Sequence, residues 1–359
     1  MKKNISILLI AVILIGVLAY QLFQQKEEGE IRNSAALEDE LAVHYIDVGQ
    51  ADSTLLEVDG YAILIDAGDW NSTAAIDYLK ELQLEKIDIA IGTHPDSDHI
   101  GQLGAIVEQF DVGEVWMSGN ESTSNTFIST LEAIDETGTD YYEPRSGEVF
   151  DVGPIQLEIL YPEEITGKAN EESISLKVTF GDIRLVFTGD AGIKEEQSMI
   201  DSGADLDAEI LHLGHHGSNT STSREFLKAV SPEVAIYSAG IDNSYGHPHA
   251  EVIASVENEG AEVYGTDVNG TIVLRTDGNS YEIETEKEGI AVEGKNRCID
   301  LNRASSAELQ EIEGIGPAFA EDIVKSRPFV SLEELKEIKG IGQGKLEDIK
   351  DQGLACVGE

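Results

Sequence analysis

The chain has 359 residues, 41% of them hydrophobic, which is enough apolar surface for more than one core and too much for a chain disordered by composition. Asp and Glu number 69 against 24 Lys and Arg, a formal charge of −45, which excludes recruitment of nucleic acid by overall charge. The acids are spread along the chain rather than gathered in one block, the pattern expected of a protein adapted to saline surroundings, where 1 M salt screens charge within about 3 Å.

Lys2 and Lys3 precede an apolar run from Ile5 to Tyr20, broken only by Ser6. A basic start before such a run predicts a signal peptide or membrane anchor over residues 1–23 and a polar linker over 24–40, with the rest on the extracellular face, anchored or secreted. From Leu41 short β-rich runs follow (Ala42–Val48, Ser53–Val58, Tyr61–Asp66), then helical spacing over Ala74–Leu84 and a buried-strand pattern at Ile87–Thr93. Further strands are predicted at Ile155–Leu160, Ser175–Phe180, Ile183–Thr188, Glu209–Leu213 and Val234–Ala239, with a closing hairpin at Thr271–Arg275 and Tyr281–Glu286. Strands with helices between them predict α/β sheets packed together with helices outside.

Seven of the eight histidines fall in three short clusters, each after a predicted strand, and only His44 stands apart. The first cluster, His94-Pro95-Asp96-Ser97-Asp98-His99, offers four ligands in six residues, a mixture of imidazole and carboxylate that suits one or two divalent cations, Zn or Mn. Asp190, after Phe187-Thr188-Gly189, is placed to bridge them; His215 and His216, in a Gly-His-His-Gly run, are further candidates, with the choice between the two left open. His247 and His249 form the third cluster.

In this order the motifs resemble the metallo-β-lactamase superfamily, and within it the hydrolase domain of ComEC-type competence proteins. The opening Ile46-Asp47-Val48-Gly49-Gln50-Ala51-Asp52 and the late Tyr245-Gly246-His247-Pro248-His249 carry the same likeness, which covers about residues 41–286 of an expected hydrolase domain at 41–288. The resemblance implies an αβ/βα sandwich with a metal site at one edge, bound by His94, Asp96, Asp98, His99, Asp190, His215 and His216, and hydrolysis of a phosphodiester. It further implies catalytic roles for Asp98 and His247, the latter donating a proton or holding phosphate, with Asp47, Gln50 and Asp52 behind the ligands. Many relatives supply another His between the first motif and the Gly-Asp; here none occurs, so either Asn170 or Ser173 completes the shell or the site holds one metal firmly and the other weakly.

Beyond a linker at 289–297, residues 298–359 contain a duplication: Leu309-Gln310-Glu311-Ile312-Glu313-Gly314-Ile315-Gly316 recurs as Leu335-Lys336-Glu337-Ile338-Lys339-Gly340-Ile341-Gly342. Each copy resembles a helix-hairpin-helix unit, together a small all-α module like the ComEA type of DNA receptor, which implies sequence-independent contact with the DNA backbone through Gly314, Ile315, Gly316, Gly340, Ile341, Gly342 and Lys345. Cys298 and Cys356 bracket the module, either as a disulfide or as two free thiols. The expected function is an extracellular metal-dependent DNA nuclease serving DNA uptake or scavenging, with DNA and the membrane as partners and no nucleotide cofactor. The alternatives are a phosphodiesterase acting on a surface substrate such as phosphocholine, and a non-catalytic DNA receptor.

Overall fold

The structure is a computed structural model that describes residues 40–287 and, beyond them, 299–310, 312, 314–327, 329, 331–351 and 355–357. The expected anchor, most of the 24–40 linker, Gly289–Asn296 and Cys298 lie outside the described residues. Among the described residues, no helix is long and apolar enough to cross a membrane.

Two sheets form the larger part. The first runs, edge to edge, β15 (Tyr281–Thr285), β14 (Ile272–Thr276), β1 (Leu41–Tyr45), β2 (Thr54–Val58), β3 (Tyr61–Ile65), β4 (Lys86–Gly92), β5 (Asp111–Met117) and β6 (Asp140–Tyr142). The second runs β13 (Glu262–Gly265), β12 (Val234–Tyr237), β11 (Ile210–His212), β10 (Ile183–Phe187), β9 (Ser175–Phe180), β8 (Ile155–Tyr161) and β7 (Val149–Val152). In each sheet a parallel set, β3 to β6 and β10 to β13, adjoins antiparallel strands.

Alternation along the strands sends side chains to two different cores. Ile63, Ile65, Ile89, Ile91 and Trp116 face Leu157, Leu176, Leu185, Ile210 and Ile236 between the sheets. On the outer side of the first sheet, Leu64, Ala90 and Val115 meet helices α1 (Ala74–Glu81), α2 (Leu103–Gln109) and α3 (Asn125–Thr137). On the outer side of the second, Val186, Leu211 and Ala235 meet α4 (Ile193–Ser202), α5 (Arg224–Val230) and α6 (Ala250–Asn258). The α3 helix shows the local logic: Ser124 Oγ accepts from Phe127 N as N-cap, Gly138 ends it at φ 73°, and Phe127, Thr130, Ala133 and Ile134 form one buried stripe. Each fully buried Leu, Ile or Phe contributes about 1.5–3 kcal/mol, so three such layers can support a desolvated polar cluster at one edge.

The C-terminal part has its own core, including Leu301, Leu309, Ile315, Ile323, Leu335, Ile341, Leu346 and Ile349. Two-residue strands β16 (Ile299–Asp300) and β17 (Ala355–Cys356) pair in parallel, and the longer helices are α7 (Pro317–Ser326) and α8 (Gln343–Asp351).

Candidate metal centre

The polar clusters sit where parallel strands end. Asp66 follows β3, Thr93 to His99 follow β4, Asp190 follows β10, His215 and His216 follow β11, and Ser238 follows β12. Loops leaving the same ends of parallel strands converge on one edge. Gly189, at φ +51°, admits the closest approach: a Cβ there would lie 2.9 Å from Ser173 Cβ and 3.0 Å from Thr93 Cβ. His215 and His216 both adopt left-handed backbone, at φ 52° and 58°, a conformation that costs a non-glycine residue about 1–2 kcal/mol and persists where the surroundings hold it.

The surroundings hold the rings by one nitrogen each. His99 Nδ1 donates to Asp66 Oδ2 at 2.8 Å, and His216 Nδ1 to Ser238 O at 3.0 Å. His94 Nδ1 lies 3.2 Å from both Thr93 Oγ1 and Ser173 Oγ. Thr93 gives its own proton to Asp66 at 2.8 Å and Ser173 gives its proton to Asn170 O at 2.7 Å, so both hydroxyls accept from His94 Nδ1–H. His215 Nδ1 meets Thr220 Oγ1 at 3.1 Å, and that hydroxyl donates to Ser218 Oγ. In all four rings the proton is drawn to Nδ1, which leaves the Nε2 lone pair for the site.

Those lone pairs face carboxylate oxygens. His94 Nε2 is 3.7 Å from Asp190 Oδ2 and 3.8 Å from Asp96 Oδ2; His99 Nε2 is 3.3 Å from Asp190 Oδ1; His215 Nε2 is 3.4 Å from Asp190 Oδ2; His216 Nε2 is 3.5 Å from Asp98 Oδ2. His94 Nε2, His99 Nε2, His216 Nε2 and Asp190 Oδ1 are buried without a hydrogen-bond partner. Acceptor facing acceptor in a desolvated place is unfavourable unless a proton or cation lies between. Two ligand atoms about 2.1 Å from one tetrahedral ion stand about 3.4 Å apart, which matches the separations seen. Two overlapping groups can hold an ion, His94 with His99 and Asp190, and Asp98 with His99 and His216. The residues therefore fit divalent metal with nitrogen and oxygen donors, whether Zn or Mn.

The same crowding sets protonation. Burial, with the nearby His99, pushes His94 down to about 3. Burial also opposes charge on His99, but the carboxylates of Asp190 and Asp66 overcome it and hold this ring well above its ordinary value. His216 is likewise raised, with the carboxylates of Asp98 and Asp190 outweighing burial. Asp98 and Asp190 resist the upward pull of burial and lie below the usual carboxylate range because of the imidazoles around them.

A cleft of about 420 Å³ opens over this cluster, and Asp96, Asp98, Asp190, His215, His216 and His247 all border it. The side chain of Asp96 is 48% exposed, at the open side, with Asn170 hydrogen-bonded to it. His247 stacks on His216 with centroids 6.1 Å apart, and its Nδ1 lies 3.5 Å from Gln50 Nε2. Gln50 is oriented by Gly240 N, which donates to its Oε1 at 3.0 Å. Asp52 is buried behind the ligands, 3.4 Å from His212 Nε2 and 3.9 Å from His216 Nδ1. Asp47 is not brought to the cluster: its carboxylate pairs with Lys287 at 3.1 Å and accepts from Gly49 N.

Several contributors escaped the reading of the sequence. Asp66 is 3% exposed and takes Thr93 N, Thr93 Oγ1 and His99 Nδ1, yet in sequence it is simply the acid closing the apolar run Ile63-Leu64-Ile65. The signal that marked Asp190, an acid ending a buried strand, was present there too. Ser173 stands on the Nδ1 side of His94, away from the Nε2 atoms; its Oγ accepts there from His94 and from Asp190 N at 3.1 Å. His212 and Ser238, joined at 3.2 Å, pack behind His216.

In the C-terminal part both hairpins close alike: Ile315 N donates to Ile312 O at 2.9 Å and Ile341 N to Ile338 O at 3.0 Å, with Gly314 at φ +85° and Gly340 at φ +105°. Ile315 and Ile341 are buried plugs, which leaves Gly316 and Gly342 at the starts of α7 and α8. A Cβ at either of these two glycines would meet nothing within 4 Å, the open approach a phosphate needs. The copies are interlocked: Lys345 Nζ donates to Gly314 O at 2.8 Å and sits 4.6 Å over the Phe319 ring, while that ring packs on Gly340.

A family profile described as "Metallo-beta-lactamase superfamily" matches residues 46–241, and one described as "Helix-hairpin-helix motif" matches 294–352. The chain is 30% identical over 259 residues to "ComE operon protein 3" of Bacillus subtilis, and 32% identical over 245 residues to "Competence protein ComA" of Neisseria gonorrhoeae. Each alignment covers 67% of this chain and 33% of the relative, so the chain spans about a third of their length. Among solved structures, the metallo-beta-lactamase fold protein YhfI of Bacillus subtilis aligns with 66% of this chain and 100% of its own at 14% identity and a TM-score of 0.47. On the extent of the family match, and with strand ends that gather its imidazoles and carboxylates at one edge, the chain belongs to the metallo-β-lactamase hydrolase superfamily, is related to competence proteins, and carries a helix-hairpin-helix region after the hydrolase fold.

Proposed function

We propose that the chain is a divalent-metal-dependent phosphodiesterase that cleaves DNA outside the membrane, in DNA uptake or scavenging, with residues 1–23 as its anchor or export signal. The observation that carries this reading is the convergence of four Nε2 lone pairs on the carboxylates of Asp190, Asp98 and Asp96 at the floor of an open cleft. His94, His99, Asp98, Asp190 and His216 would hold the ions, with Asp96 and His215 toward the open side. When bound, such ions supply Lewis acidity and lower the pKa of water.

The chain's own groups do the rest. Asp66, Ser173 and Ser238 keep the ligand rings in one tautomer. Burial and the neighbouring His216, His215 and His249 push His247 down to about 4, so at neutral pH it is uncharged. Gln50 Nε2 beside its Nδ1 favours the proton on Nε2, which makes His247 a donor to a phosphoryl oxygen or a departing alkoxide. The helix-hairpin-helix match and the competence names of the relatives support DNA as the polymer, and backbone contact at the two hairpins fits sequence-independent binding.

The test is cleavage of single- and double-stranded DNA by the metal-loaded full chain in high salt. Asp190→Ala should abolish cleavage with DNA binding retained. Turnover of bis-p-nitrophenyl phosphate with no attack on DNA would move the substrate to another phosphodiester, such as phosphocholine. A chain that binds DNA but takes up no metal and cleaves nothing would be a receptor.

A further inference from the structure

Two aromatic rings are left in water near the cleft, one bordering it and one on a turn hydrogen-bonded to its Asp96–Asp98 loop. Tyr245 borders it and is 67% exposed, although one face rests on His247 at a centroid distance of 5.7 Å and an interplanar angle of 24°. Its loop is clasped by Asn243, whose Oδ1 accepts from Tyr245 N at 3.1 Å and His247 N at 3.0 Å, so the ring is presented by a tied backbone. Trp70 is 62% exposed, and its backbone N donates to Ser97 O at 3.1 Å, within the Asp96–Asp98 loop that borders the cleft. The other tryptophan, Trp116, is 1% exposed. Tyr and Trp supply the large, rigid, amphipathic rings that binding surfaces use.

The charge of the cleft limits what those rings can meet. Among the described residues that border it there is no Lys or Arg, and the chain carries −45 overall. Side-chain cations therefore do not hold a sugar-phosphate backbone on either side of the ions. A flat, uncharged surface is what remains for the rings to grip, and in a polynucleotide that surface is an unpaired base. Bases in a duplex stack on one another and offer no free face.

We propose that Tyr245 and Trp70 are stacking platforms for unpaired bases next to the phosphate at the metal centre, which makes a single strand the substrate of the hydrolase cleft. This rests on the phosphodiesterase reading. Stacking on an aromatic side chain tolerates any base, so the preference is for strandedness and not for sequence.

The experiment compares the metal-loaded full chain on a single-stranded oligonucleotide and on an oligomer of the same length made entirely of abasic sites. The hairpin module reads backbone phosphate and meets both strands alike. The expected result is a KM for the base-bearing strand lower by about tenfold or more. Tyr245→Ala and Trp70→Ala should each raise that KM by about 5- to 100-fold, the size of one lost stack, and leave the abasic KM within about twofold. Tyr245→Phe should retain the wild-type KM. Equal KM for the two strands in the wild type, or no change in either alanine variant, overturns the stacking proposal while the phosphodiesterase stands. No cleavage of either strand overturns the phosphodiesterase reading and this proposal with it.

Discussion

Asp66→Asn isolates what the residues behind the ligands contribute. The carboxylate takes three bonds of 2.8 Å, from Thr93 N, Thr93 Oγ1 and His99 Nδ1, and is 3% exposed. The amide has the same shape, so the fold should persist, but it has one acceptor oxygen and no charge. His99 then loses the anion that fixes its tautomer and raises its basicity. Loss of such a partner weakens a metal centre by about 10- to 100-fold, or about 1.4–2.8 kcal/mol. Competition against a chromophoric chelator should show this loss, and DNA cleavage should recover largely at saturating metal, since no ligand atom has been removed. An affinity within twofold of wild type, or a loss of cleavage that excess metal does not restore in a folded protein, would refute the argument that Asp66 acts through His99.

Ser173→Ala removes the acceptor of Asp190 N and one of two acceptors of His94 Nδ1; differential scanning calorimetry of the metal-free protein should show a loss of about 1–3 kcal/mol, and a loss under about 0.5 kcal/mol would contradict it. In the metal-free fold His99 is held well above its ordinary value and His216 above its own, so both rings hold their protons more firmly than free imidazoles and must surrender them to a cation. Titration calorimetry in buffers of different ionisation heat should therefore find protons released on metal loading, and affinity that rises with pH from the ordinary imidazole value of 6.5 upward; zero release would contradict the assignment. In the hairpin module, Lys345→Gln should weaken DNA binding equally for all sequences and reduce the slope of log affinity against log salt by about 1, whereas an unchanged slope would confine Lys345 to its contacts with Gly314 and Phe319.

Period and punctuation made much of this molecule readable. The β-rich runs around Ala42–Val48, Ser175–Phe180 and Ile183–Thr188 are strands buried almost throughout, and the histidine clusters stand out because they follow runs of this kind. Other elements were hidden. The strand β5, Asp-Val-Gly-Glu-Val-Trp-Met, has the acids and glycine of a loop; it extends because Val112, Val115, Trp116 and Met117 are buried within the layers. Long-range placement was also invisible. Nothing in the order of residues says that Ser173 bonds the far nitrogen of His94, or that Asp47, part of the same motif as Gln50 and Asp52, turns away to Lys287. Between His215 and His216 the sequence offers no choice, and the fold separates them: His216 is 2% exposed with Nδ1 on a backbone carbonyl, and the side chain of His215 is 30% exposed at the rim.

Anomalous diffraction from crystals of the chain grown with Mn²⁺ or Zn²⁺ bears most directly on the claim that these strand ends build a metal centre. The account predicts a peak within about 2.0–2.3 Å of His94 Nε2, His99 Nε2 or His216 Nε2 and of an Asp190 or Asp98 oxygen. Density confined to the acidic surface, with these nitrogens and carboxylates still 3.3–3.8 Å apart and no ion between them, would contradict it.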